Sequence, residues 1–194
     1  MQAILDATAR ILVGSGYDRA STNRIAIAAG VSIGSLYQYF PSKEALVAAL
    51  VERHIDQMTA VIRKKLAELQ NADIEVAARE IVRAMLDAHL VDPKLHKVLM
   101  EQVPRTGRLE KVLGVEQEIE ALVKMYLHAR KGELRCKNLD VAAFVLCNTV
   151  EGVTHAAMLH QNVRAAAGNP QMAPLPRDAI VHELADMLVR YVKA

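Results

Sequence analysis

From Ser42 to Asp92 the chain contains neither glycine nor proline, and apolar residues recur through it at three- and four-residue spacing. A stretch of that length with no breaker and no strand-like alternation folds as helix, and the same periodicity runs through most of the remaining sequence. The expected fold is all-α. Within the stretch, Gln70-Asn71-Ala72-Asp73 is the natural break, with Asp73 as N-cap of the next helix. A helix from Lys43 to about Gln70 would be roughly 40 Å long, enough to enter more than one packing unit. Asp92-Pro93 predicts a further start, and Pro104 ends the segment Lys94 to Val103. After a turn at Thr106-Gly107, a helix should run from about Leu109 to Lys131 and stop at Gly132. Another starts at Asn138 to Asp140 and reaches about Val163. A loop from Arg164 to Pro176, with Gly168, Pro170 and Pro174, then precedes a last helix, Arg177 to Val192.

Composition narrows the function. The 194 residues can form a substantial core, and 24 basic against 22 acidic residues leave a net charge of +2, so any binding to nucleic acid must be a local property. Two cysteines, Cys136 and Cys147, are too few for a disulfide framework and suit a reducing cytoplasm as small buried hydrophobes. The N-terminus meets Asp6 at once and reads as no signal peptide, and the charge-free run Ile25 to Ser42 is interrupted by Gly30, Gly34 and Pro41, so no membrane span is expected. No nucleophile-base pair, glycine-rich phosphate loop or metal cluster in the sequence points to an enzyme. Nor does histidine spacing predict a metal site: His89 and His96 flank the Asp92-Pro93 break, and His155 and His160 are five apart, about 140° round a helix.

Three of the seven aromatic residues fall between Tyr37 and Phe40, in the most informative stretch, Ser21 to Lys43. Ser21 is a good N-cap, Thr22 to Ala29 a short helix, Gly30 its left-handed terminator, and Val31-Ser32 lead into a second short helix ending near Phe40. This is a helix-turn-helix. Ala26 supplies the small residue where the helices touch, Ile25, Val31 and Leu36 pin them together, and Phe40 closes the core. That leaves Ser32, Ile33, Gly34, Ser35, Tyr37 and Gln38 facing outward. Gly34 and Ser35 permit close approach to a major groove, Ile33 suits a thymine methyl, and Gln38 a base edge or phosphate. The hydroxyls of Tyr37 and Tyr39, with Thr22, Arg24 and Lys43, are placed to meet phosphate oxygens.

In these features residues 3 to 50 resemble the DNA-binding domain of the TetR/AcrR family of transcriptional regulators. The resemblance is carried by Ile4-Leu5-Asp6-Ala7-Thr8, Gly16-Tyr17, Thr22, Ile25-Ala26, Ala29-Gly30-Val31-Ser32, Gly34, Leu36-Tyr37, Tyr39-Phe40 and Ser42-Lys43-Glu44. It implies a homodimer that places each second helix in a major groove of a palindromic double-stranded operator. It further implies groove contacts from Thr22, Asn23, Ile33, Gly34, Tyr37 and Gln38, and phosphate contacts from Thr22, Tyr39 and Lys43. Family members usually carry basic residues ahead of the first helix. Here Met1-Gln2 stand in that place, and only Arg10, Arg19, Arg24 and Lys43 are basic up to residue 43, so a modest salt dependence of binding is expected.

The expected division is 1–48 for the helix-turn-helix domain and 49–194 for a helical ligand-binding and dimerisation domain. In the latter, Asn148, Glu151 and His155 share a helix face with Met158, and Tyr126 can join them; Met58 and Met100 add adaptable apolar lining. These seven are the candidate effector residues, for a small apolar or aromatic ligand; Asn148, Glu151 and His155 equally suit a satisfied polar cluster at the dimer seam. The last two helices are the expected dimer seam, from Ala142, Ala143, Gly152, Ala156 and Ala157, and from a last-helix stripe of Ile180, Leu184, Met187, Leu188 and Tyr191 that Val181, Ala185 and Val192 widen. The expected function is a ligand-responsive repressor, in which effector binding tilts the reading heads away from a spacing of about 34 to 36 Å. The alternatives are a DNA-binding regulator without a small-molecule effector, and a lipid- or small-molecule-binding protein with a vestigial helix-turn-helix.

Overall fold

The computed structural model describes residues 1–101, 109–167 and 175–193. Among the described residues there are nine α-helices and no strand: α1 (Gln2–Ser15), α2 (Thr22–Ala29), α3 (Ile33–Tyr39), α4 (Lys43–Glu68), α5 (Ile74–His89), α6 (Pro93–Glu101), α7 (Leu109–Ala129), α8 (Leu139–Ala167) and α9 (Arg177–Val192). The helix starts follow local chemistry. Ser42 Oγ accepts from Ala45 N at 3.1 Å, Asp92 Oδ1 from Leu95 N at 3.0 Å, and Asn138 Oδ1 from Asp140 N and Val141 N at 3.1 Å each. Asp73 stands at the N-cap position of α5 with no side-chain bond. Helix α8 runs past Val163 to Ala167; the expected turns at Pro104 and Thr106-Gly107, and Gly168, Pro170 and Pro174, lie outside the described residues.

The helices form two compact units, Met1–Gln57 with Asp92–Leu113, and Met58–Val91 with Gly114–Ala194. In the first, Ile4, Leu5 and Leu12 of α1 meet Ile25 and Ala26 of α2, Leu36 of α3, and Leu46, Val47 and Leu50 of α4. By packing, this unit reaches beyond residues 1–48: α4 stays in its core through Val51, and α6 returns to it with Leu95 and Leu99.

Between α4 and α6 the buried ring of His54 sets Nε2 3.1 Å from Nδ1 of His96. Burial pushes the His54 pKa below its ordinary 6.5; Asp92 acts upward, and Arg53 adds to the depression. A depressed histidine stabilises the fold fully above about pH 6.5 and less as pH falls below it, because the unfolded chain then binds the extra proton. Denaturant unfolding of the chain should therefore show stability falling from pH 7.5 to pH 5.5, with His54→Gln flattening that dependence. Equal losses in wild type and variant would remove His54 as the cause.

In the second unit, α5 packs on α8 and α9: Val82 and Leu86 meet Val150 and, from α9, Val181, Leu184 and Leu188. A second cluster joins Leu127 of α7 to Leu139, Ala142 and Ala143 of α8. These contacts correct part of the sequence reading. Ala142 and Ala143 are enclosed by their own chain, as are Val181, Leu184, Ala185 and Leu188. The width of the α9 stripe is absorbed by intrachain packing and does not by itself require a second partner. Among the large apolar side chains of α9, Met187 is exposed.

Candidate nucleic-acid interface and effector cavity

The turn between α2 and α3 is built from backbone bonds that its residues make available. Ser21 Oγ accepts from Arg24 N at 3.4 Å, and Ser32 Oγ from Ser35 N at 3.0 Å, capping both helices. Gly30 takes φ 68° and ψ 31°, a left-handed conformation that glycine adopts without Cβ strain, and Val31 N closes on Ala26 O at 3.0 Å. With Ile25, Ala26 and Leu36 buried, the α3 start is left exposed: Ser32, Ile33, Gly34, Tyr37 and Gln38, joined by Asn23 of α2 and by Tyr39, while Ser35 is half-buried. Tyr37 is 48% exposed and Phe40 only 6%, so the aromatic cluster divides between surface and core. The hydroxyls of Thr22 and Tyr37 are 3.1 Å apart, which aligns α2 and α3 at the outward edge.

The basic side chains are disposed differently from the sequence expectation. Arg24 donates to Arg19 O at 2.7 Å and to Ser15 Oγ at 3.1 Å, and Lys43 donates to Tyr17 O at 2.6 Å with its ammonium 3.9 Å from the Tyr17 ring centroid. Arg19 donates to Ser15 O and Arg10 to Ala28 O. All four cations of residues 1–43 thus satisfy main-chain carbonyls: Arg19 and Arg10 at the C-terminal ends of α1 and α2, where the helix dipole favours positive charge, and Arg24 and Lys43 in the segment between those helices. The outward face is left with hydroxyl, amide and apolar groups.

The second unit holds a cavity of about 610 Å3, within the roughly 300 to 1,000 Å3 usual for small-molecule sites. Its walls come from α4 (Ile62, Leu66), α5 (Ile81, Met85), α7 (Ile119, Val123) and α8 (Phe144, Cys147), so it is mainly aliphatic and aromatic. Of the seven candidate effector residues, Tyr126, Asn148 and Glu151 line it, and the other four do not. Met100 packs on the core of the first unit, and Met58 lies on α4 away from the cavity. His155 meets the His89 ring at 5.5 Å, and Met158, one turn further along α8, is buried. Their shared helix face is real, but a helix nearly 30 residues long serves more than one neighbour along its length.

Two of the lining polar groups are already engaged. Tyr126 donates its hydroxyl to Ala72 O at 2.8 Å, under an Arg130 guanidinium 3.9 Å from its ring, and Asn148 donates to Phe144 O at 2.9 Å. Burial raises the Tyr126 pKa, with Arg130 opposing the rise. It also pushes the Cys147 thiol up to about 11, so this cysteine is unreactive at neutral pH. The sequence reading missed Glu116 and Glu120, one turn apart on α7 and both lining the cavity. Their i, i+4 spacing was visible; that their face meets α8 was not. It also missed the histidine pairs, His54 with His96 and His89 with His155, because spacing within one helix says nothing about rings brought together from two.

Comparison with known proteins places this architecture. Residues 4–50 match the family model "bacterial regulatory proteins, tetR family", and residues 73–191 match "tetracyclin repressor-like, C-terminal domain". The nucleoid occlusion factor SlmA of Glaesserella parasuis is 34% identical over 144 residues, 71% of this chain and 69% of that protein. The transcriptional activator FasR of Mycolicibacterium smegmatis is 33% identical over 98 residues, half of this chain and 44% of its own length. Among solved structures, the transcriptional regulator FadR of Bacillus subtilis in complex with stearoyl-CoA shares the fold at TM-score 0.71 and 16% identity, covering 98% of both chains. With a helix-turn-helix of this geometry at one end of the sequence and a matching helical domain filling the rest, the chain belongs to the TetR family of DNA-binding transcriptional regulators.

Proposed function

We propose that this chain is a repressor that holds a palindromic operator as a homodimer and releases it when an apolar effector fills the cavity of the second unit. Helix α4 carries the reading: one continuous helix gives Leu46 and Leu50 to the core that positions α2 and α3, and Ile62 and Leu66 to the cavity wall. An effector that displaces the second pair acts on the same helix as the first. Bacillus subtilis FadR, solved with stearoyl-CoA, supplies a precedent for an apolar chain in this fold.

Random DNA fragments enriched on the protein should share an inverted repeat with half-sites about 10 bp apart or a multiple of it. Apolar extracts of the host cell should then weaken that complex by about 5- to 150-fold, and Ala78→Trp, which fills the cavity from α5, should abolish the response. Enrichment of no common sequence sinks the operator reading. Release that persists in Ala78→Trp moves the effector elsewhere.

Operator contact on this reading comes from Thr22, Asn23, Ser32, Ile33, Gly34, Ser35, Tyr37, Gln38 and Tyr39, with Arg24 and Lys43 contributing only after leaving their carbonyl partners. Few counterions are then released, and log affinity against log salt should fall with a slope shallower than about six. A steeper slope would mean that more phosphates are neutralised than these residues reach.

A further inference from the structure

We propose that the effector is an amphiphilic cation, an apolar body carrying an ammonium or similar positive group, held between Glu116 of α7 and Glu151 of α8. This rests on the reading of the cavity as an effector site and names the chemistry of its occupant.

The ionisable lining is strongly one-sided. Among the described residues, three carboxylates, Glu116, Glu120 and Glu151, line the cavity together with one guanidinium, Arg63. Arg63 is neutralised by Glu118, which accepts its Nε at 2.6 Å and an Nη at 2.5 Å. Glu120 is balanced by Lys124 at 2.9 Å. Among the described residues, Glu116 and Glu151 form no ion pair. They come from different helices, and burial raises the Glu116 pKa, with the Glu151 charge raising it further. Both are exposed while lining the cavity, so solvent reaches them, and Ile119 and Val123, also on α7, add partly buried aliphatic wall.

An acyl anion entering the cavity meets two carboxylates that form no ion pair among the described residues, while Arg63, the guanidinium of the described lining, is already held by Glu118. A positive headgroup meets the reverse, and relieves the repulsion between the two carboxylates as it binds. The apolar body supplies most of the affinity by burial, and the headgroup charge selects among bodies of equal size.

The test is calorimetric titration of the full chain with decyltrimethylammonium, 1-decanol and decanoate, each below the concentration at which it aggregates. The expected order is ammonium tightest, by about tenfold or more over the alcohol, with decanoate weakest. The double variant Glu116→Gln, Glu151→Gln should lose that tenfold advantage, leave decanol binding unchanged and improve decanoate. Decanoate binding as tightly as the ammonium in the wild type would overturn the cation assignment while leaving the effector cavity intact; this comparison needs no variant. Ammonium affinity unchanged in a folded double variant would overturn it as well. Binding of none of the three probes would remove the effector cavity itself, and the cation with it.

Discussion

Gly34→Leu should leave the fold intact and reduce operator affinity to the level of non-specific DNA, a loss of about a thousandfold or more. The two halves of that expectation have separate causes. A Cβ at position 34 would meet only Ser32 Oγ, at 3.8 Å, so the first unit has room for a side chain there. Replacing glycine inside a helix also removes a propensity cost of about 1 kcal/mol. The same side chain would stand on the exposed face of α3 between Ile33 and Tyr37, where a recognition helix must come against the floor of a major groove. Adding a branched side chain pushes the helix outward and breaks the neighbouring base contacts together, at about 1 to 3 kcal/mol each. Tyr37→Phe offers the contrast. It removes only the hydroxyl that lies 3.1 Å from Thr22, and should weaken operator binding by about tenfold or less. The check is fluorescence anisotropy on the enriched operator alongside thermal unfolding by circular dichroism. A folded Gly34→Leu protein that binds operator within threefold of wild type would take α3 out of the groove.

The helix-turn-helix geometry was legible because it is local. Ser21, Gly30, Ser32 and Ser42 act on backbone groups within about four residues of themselves, so their types and spacing nearly dictate the two short helices and the start of α4. Inward and outward faces followed from the same periodicity, and Phe40 and Tyr37 fell on the sides expected of them. What spacing did not carry was the choice of partner. Arg24 and Lys43 lie on a segment that suits phosphate contact, yet the carbonyls of Arg19 and Tyr17 between α1 and α2 attract the same cations, and the nearer acceptor holds them in the chain alone. Likewise α6 reads as one more amphipathic helix, and only the buried positions of Leu95 and Leu99 show which core it serves. The cavity is the extreme case. Tyr126, Asn148 and Glu151 were visible as polar groups on apolar helices, but the other walls come from α4, α5 and α9, and no pattern within one helix specifies its neighbours.

Helix α8 shows how three such neighbours divide one surface, and it carries the second large expectation. One face, Ala142, Val150 and Thr154, is buried in the second unit; another, Phe144, Cys147 and Glu151, lines the cavity. A third, Val141, Val145, Gly152 and Ala156, is small and apolar, and none of its members is buried by the chain itself. The Leu139–Leu159 stretch is apolar enough by composition to cross a membrane, yet only 28% of its most apolar window is buried. In a DNA-binding regulator that surplus of exposed apolar surface fits a helix waiting for its copy, and small residues let two such helices approach closely. Gly152→Lys tests this with opposite signs. A Cβ there meets nothing within 4 Å, so the isolated chain should become slightly more stable, by up to about 1 kcal/mol of helix propensity. The dimer, however, would have to bury a pair of ammonium groups at its seam, and should dissociate. Sedimentation should report the mass of one 21.3 kDa chain in the variant and twice that in the wild type. Operator affinity should fall by about 10² to 10⁴, because each reading head then binds its half-site without the effective concentration that its partner provides. A Gly152→Lys protein that stays dimeric would exclude this face of α8 as the seam and leave the exposed side of α9 around Met187 as the surface to examine.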